Sequence, residues 1–197
     1  DDSGRSIFIA GIGEHCFEGC VNLKEVLFDD NVLAVLDNSQ KDVLSFGAYA
    51  FAGCTALETV EVPAFVTWDA DGGTNPMPLD GIEEYAFAGC TSLKNVIFEE
   101  GDLRQDLRIA AHAFEGCTAL ESLVLPAVTT QIADSAFAGC TGIASFVIPA
   151  SVQTMGAGVF SGWTAEQSIS VEGFAEAPEG WSEAWSEGCL ASISWNA

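Results

Sequence analysis

The chain has 197 residues, 49% of them hydrophobic and 18% charged, which excludes disorder and is enough to bury a sizeable core in one domain or two. Its 29 acids and 6 bases give a net charge of −23, and no Lys or Arg follows Arg108. A surface this acidic repels phosphate backbones and anionic lipid, which argues against nucleic acid and membrane adsorption and leaves basic protein partners, divalent cations or plain solubility.

In chain order, Asp1-Asp2-Ser3-Gly4 reads as a trimmed start that says nothing about compartment, and Ile7-Phe8-Ile9 as an edge strand leading into the first unit. Six segments then align without gaps: Ile12 to Cys20, Phe46 to Cys54, Ile82 to Cys90, Ile109 to Cys117, Ile132 to Cys140 and Met155 to Trp163. Their anchors Phe17, Phe51, Phe87, Phe114, Phe137 and Phe160 lie 34, 36, 27, 23 and 23 residues apart, so the base period is 23 and the first three intervals carry insertions. After each Gly-Cys comes L-x-x-V-x-L, as in Leu120/Leu123/Leu125, whose last three positions have the period of a half-buried strand. Pro63, Pro126 and Pro149 end three of these strands, since proline has no N–H to donate.

A unit of this length cannot bury its apolar face alone, so units stack. The expected fold is an α/β solenoid of about six units. A parallel sheet lines its concave side, and short turns, 3-10 turns or helical segments line its convex side. The repeated Phe fills the space between layers, and the repeated Gly supplies a positive φ or a close backbone approach. The whole chain, 1–197, reads as one domain: 1–11 lead in, 12–167 hold the repeats and 168–197 form a C-terminal cap. Within the insertions, Val32 to Leu36 suits an added strand, and 64–81 suits an irregular loop. In the cap, Pro178 to Gly188 is expected as a short helix with Trp181 and Trp185 on one face, and Ser192 to Trp195 as a terminal strand.

The chemistry-bearing residues mostly fall into the same frame. Stacked cysteines in register sit about 4.8 Å apart, beyond the roughly 3.8 Å between Cβ atoms that a disulfide needs, and no C-x-x-C occurs, so buried reduced thiols are expected, with Cys189 the exposed one. His15 and His112 share their repeat position with Tyr49, Tyr85, Ser135 and Gly158, a semi-exposed filler position without a neighbouring nucleophile, which argues against an enzyme. Asp69, Asp71 and the oxygen donors to Asn75 have a calcium-loop flavour. Gly occupies a ligand position there and Pro76 and Pro78 interrupt, so an acidic loop without metal is the expectation. No pattern calls for a cofactor or a bound metal.

The unit I-x-x-x-A-F-x-G-C-x-x-L-x-x-V-x-L-P-x-x-V resembles the BspA-type (Treponema pallidum-type) leucine-rich repeat of bacterial surface proteins. The tail, Ser168 to Ala197, is similar to the closing segment of gut-bacterial members, with a Pro-x-Gly-Trp-Ser…Trp stretch before a final Trp-Asn strand. The resemblance spans nearly the whole chain from Ile12, and departs from the pattern in the insertions and in Trp163 where Cys is expected. It implies a secreted or wall-attached protein that binds host proteins or other cells; separately, no stretch approaches about 18 uninterrupted apolar residues, so direct membrane insertion is not expected.

On the concave strands Leu27, Thr59, Glu61, Asn95, Ile97, Ser122, Val124, Ser145 and Val147 should point to solvent. Two accounts of the aliphatic ones stay open: β-propensity on a sheet surface, or an exposed apolar patch that binds. The functional expectation is an extracellular protein-binding or adhesion module for a host matrix or cell-surface protein. The alternative is a structural spacer of a larger surface protein.

Overall fold

A computed structural model describes residues 12–26, 46–62, 81–98 and 107–196. The strands within them are β1 (Glu25–Val26), β2 (Thr59–Val62), β3 (Asn95–Phe98), β4 (Leu107–Ile109), β5 (Ser122–Leu123), β6 (Thr129–Ile132), β7 (Ser145–Ile148), β8 (Thr154–Met155), β9 (Ser168–Glu172) and β10 (Ser192–Asn196). All their pairings are parallel, so the described chain is a parallel-strand solenoid in which each unit adds one layer.

Two ladders run along the stack, a first that passes through the bridge residue opening each unit and a second that follows its Gly-Cys turn. The one expected from L-x-x-V-x-L consists of the sheets β1-β2-β3-β5 and β7-β9-β10, with β7 lying against β5 outside the ladder bonding. The other, β4-β6-β8, is extended by the bridges Ile12↔Phe46, Phe46↔Ile82, Ile82↔Ile109 and Met155↔Trp181. Between the ladders sits the core. Phe51, Phe87, Phe114, Phe137 and Phe160 are fully buried and stack layer on layer, with successive centroids 5.2, 5.4, 5.5 and 6.0 Å apart. Pro126 and Pro149 do turn the chain after their strands, their carbonyls accepting the N–H of Thr129 and Val152.

Of the forms expected between the strands, turns are the one found: the described residues contain no helix, so the α part of the α/β expectation has no counterpart among them. The backbone gives the reason. In each A-F-x-G-C turn two residues four apart are left-handed, for example Tyr85 (φ 57) and Gly89 (φ 71), or His112 (φ 58) and Gly116 (φ 72). A right-handed helix cannot pass through such a pair. Instead, alternate N–H groups bond across to the next unit, as from Tyr85, Phe87 and Gly89 to the carbonyls of Ala111, Ala113 and Glu115. The N–H groups between them close tight turns onto residues three back. Every second amide therefore serves the stack, which resolves the glycine question in favour of positive φ.

The helix expected over Pro178 to Gly188 is likewise absent. Trp181 bridges Met155, residues 183–188 form a turn, and Gly188 is left-handed at φ 73. The segment repeats the unit's own bridge-and-turn path, and its carbonyls at Ala184, Trp185 and Gly188 accept N–H groups of the layer before. Ser192 to Trp195 does form the terminal strand, extended to Asn196 as β10. The suggested strands at Ile7–Ile9 and Val32–Leu36, and the insertion loop, lie outside the described residues.

Candidate functional site

Strand alternation decides which side chains the second ladder shows to solvent. In β2, β3 and β7 the residues Val60, Val62, Val96, Phe146 and Ile148 turn inward and are buried. Their neighbours turn outward and fall into two columns. The first runs Glu25, Thr59, Asn95, Ser122 through the registered pairs of β1, β2, β3 and β5, and then Ser145, Ser168, Ser192 through β7, β9 and β10. The second holds Glu61 opposite Ile97, then Val124 directly after β5, then Val147, Ser170 and Ser194. Ile97 is 47% exposed, Val124 79% and Val147 47%, so three aliphatic side chains stand in solvent on successive units. Thr59, Glu61 and Asn95 are partly covered, and Ser122 and Ser145 are exposed. Leu27 lies outside the described residues. From Asn95 onward both columns are free of charge, on a chain that carries −23 overall.

The turn side has a different chemistry, part of it hidden from sequence reasoning. His15, Tyr49, Tyr85 and His112 are no mere filler: all four are left-handed, and their rings stack with centroids 4.9, 4.8 and 4.5 Å apart and planes within 12°. Both imidazoles are tied to a glutamate three residues on, His15 Nδ1 to Glu18 Oε2 at 2.6 Å and His112 Nδ1 to Glu115 Oε2 at 2.8 Å. The signal was the coincidence of aromatic or imidazole rings at one frame position, which a stack must bring face to face.

The cysteines divide by position. Cys54, Cys90, Cys117 and Cys140 are buried, and each thiol donates to the carbonyl of the phenylalanine one unit back, at 3.1 to 3.2 Å. Burial pushes the Cys90 and Cys140 thiols up to about 12 and Cys117 well above its ordinary range. These are the reverse of activated nucleophiles. The expected exposure of Cys189 is corrected: it is half-buried, whereas Cys16 and Cys20 are exposed. Both belong to the first unit, whose inward side chains have a described layer against them on one side only. Asp69 and Asp71, the suggested calcium loop, lie outside the described residues. Among the described residues no helix is long and apolar enough to cross a membrane.

The family model for the BspA type leucine-rich repeat region matches residues 34–69 and 74–176, in six copies. Among solved structures, a leucine-rich cell surface protein from Faecalibacterium prausnitzii shares 22% identity over 78% of this chain, with a TM-score of 0.52. This chain spans 43% of that protein's length. A leucine-rich repeat protein from Bacteroides ovatus shares 19% identity, covering 95% of this chain and 59% of its own, with a TM-score of 0.37. No curated protein matches the chain. At such identities the Faecalibacterium likeness speaks to the fold alone.

Proposed function

The chain belongs to the BspA-type leucine-rich repeat family, and from that premise we propose that it is a non-catalytic, protein-binding module of a bacterial surface or secreted protein. Its contact surface is the outward face of the second ladder. One observation carries the reading: Ile97, Val124 and Val147 stand exposed in a row of adjacent units beside the uncharged column Asn95, Ser122, Ser145. Aliphatic groups held in water by a rigid sheet gain free energy when a partner covers them, and the hydroxyl and amide column supplies hydrogen bonds at a spacing of about 4.8 Å. The buried thiols and the glutamate-tied imidazoles serve packing in this reading, which is why no catalytic role is assigned.

The test is a pull-down and surface-binding screen of the domain against host matrix and cell-surface proteins, run beside the double variant V124E/V147E. Both positions face solvent, so the variant should fold as the parent does and lose the partner. Unchanged binding would remove the face from the proposal. A screen in which neither protein captures anything would favour a structural spacer.

A further inference from the structure

The ring column on the turn side stops partway along the stack. His112 carries Tyr85 on one face, with 4.5 Å between centroids and 4° between planes. Its other face looks toward the layer of Ser135, because the N–H of His112 bonds to the carbonyl of Asp134 and that of Ser135 to the carbonyl of Ala157. Ser135 and then Gly158 hold the ring position of the next two units, with the same left-handed backbone at φ 54 and 58. The column therefore drops from a ring to a hydroxymethyl group and then to a hydrogen atom, while the turns beneath it run on.

Room remains at this step. A methyl group on Gly158 would meet Ser135 Oγ and Ser161 Cβ at 3.8 Å and the Glu187 carbonyl at 4.0 Å, all ordinary contacts. His112, Ser135 and Gly158 are themselves only partly covered. Successive layers lie about 4.8 Å apart, the spacing at which His15, Tyr49, Tyr85 and His112 already stack. A planar ring from outside would thus fall into the place of the missing one, flat on the imidazole.

Charge says what should carry that ring. Glu115 is tied to His112 Nδ1 at 2.8 Å, and Asp134 accepts the N–H of Ala157 at 2.8 Å, reaching from the layer of Ser135 to that of Gly158. Glu183 and Glu187 stand exposed in the unit beyond, and the chain has no Lys or Arg between Ile109 and Asn196. We propose that this notch receives an aromatic side chain from a cationic segment of a partner protein, which stacks on His112 and continues the ring column over Ser135 and Gly158. Stacking fixes the ring, and the acidic rim selects the basic residues that flank it. This site lies on the turns, separate from the outward face of the second ladder, and does not depend on it.

The probe is an end-blocked Lys-Tyr-Lys peptide, with Lys-Leu-Lys and Glu-Tyr-Glu as controls, titrated by proton NMR of the two imidazoles. Lys-Tyr-Lys should move the His112 ring signals upfield, leave those of His15 in place, and weaken as salt rises. It should bind roughly fivefold more tightly than Lys-Leu-Lys, which lacks the ring, and Glu-Tyr-Glu should not bind. The variant S135Y supplies the ring from the chain itself, on the backbone conformation that Tyr49 and Tyr85 already adopt at φ 58 and 57, and should lose the peptide. S135G should keep it. V124E/V147E should bind the peptide as the parent does, so a failure of the face reading and a failure of this one are distinguishable. Equal affinity for Lys-Leu-Lys, equal shifts at His15 and His112, or undiminished binding to S135Y would overturn the proposal. If S135Y fails to fold, the comparison of Lys-Tyr-Lys with Lys-Leu-Lys on the parent protein still decides.

Discussion

The indole N–H of Trp163 donates to the backbone carbonyl of Phe137, 2.9 Å away in the preceding unit. Cys54, Cys90, Cys117 and Cys140 make the same bond to Phe17, Phe51, Phe87 and Phe114. The position after the repeated glycine thus asks for a buried side-chain donor that reaches back one layer, and sulfur is one way to meet it. Trp163, which departs from the pattern at the level of letters, conserves its bond.

Removal of that donor should therefore cost little more than one hydrogen bond. The Phe137 carbonyl also accepts the N–H of Cys140 at 3.2 Å, so it is not stranded when the indole leaves. W163F is expected to destabilise by about 1 kcal/mol for the lost bond, before any cost of the lost volume. W163A forfeits a fully buried ring and should cost several times as much, on the order of 3–5 kcal/mol. Urea unfolding midpoints at constant m-value separate the two.

The thiols give a second expectation, with a definite sign. Iodoacetamide at mildly alkaline pH should label Cys16 and Cys20 on the native protein, Cys189 slowly, and the four stacked cysteines only after unfolding. Cys90 and Cys140 titrate at about 12 when folded and near 9 when unfolded. The unfolded chain therefore loses these protons first. Their contribution is fully present below pH 9 and is lost as pH rises from there toward 12. Melting temperatures across that range should fall, and fall less when Cys90 and Cys140 are replaced by alanine, each variant being measured against its own neutral-pH value.

Much of this architecture was legible because it rests on large apolar residues in one frame. Phe51 to Phe160 and Val60 to Ile148 each recur with the unit, so the Phe stack and the second ladder could be placed from the letters. The first ladder was not legible. Its strands share only one recurring apolar residue each, Ile109, Ile132 or Met155, because the second apolar residue of β4, Leu107, faces Thr129 in β6, and one residue has no period. The cap was misread because Trp181 and Trp185 happen to be spaced like a helix face. The better signal was the eight-residue step from Trp181 to Cys189, the same as from Ile132 to Cys140, which marks another bridge and turn. Of the candidate site, the outward direction of Ile97, Val124 and Val147 followed from strand alternation. The ring column on the turn side needed the left-handed backbone, which a mixture of His, Tyr, Ser and Gly does not announce.

That column supports a third expectation. Ser135 holds φ 54 without a stacked ring, in a position where the following unit has Gly158. L-residues in this region carry a strain of about 1–2 kcal/mol, part of which glycine returns as chain entropy. S135G should therefore be neutral or stabilising by up to about 1 kcal/mol. Y85G relieves the same strain but removes a ring stacked between Tyr49 and His112, so it should be net destabilising. Opposite signs in thermal melts would confirm that the rings hold the strained backbone; equal signs would assign the stacking no weight.

The last expectation concerns position along the stack. Phe114 is fully buried, with Phe87 on one face and Phe137 on the other at 5.4 and 5.5 Å. Phe17 occupies the same frame position in the first unit, is 36% exposed, and stacks on Phe51 at 5.2 Å. Alanine at 114 opens a cavity that layers on both sides are too rigid to close, and should cost about 3–5 kcal/mol. Alanine at 17 removes a ring that water already reaches, and should cost less than half as much, on the order of 1–2 kcal/mol. A solenoid transmits such losses only to its neighbouring layers, so F114A should also speed hydrogen exchange in the units of Phe87 and Phe137 while leaving β10 unchanged. Uniform acceleration along the whole chain would mean that the stack unfolds as one cooperative block.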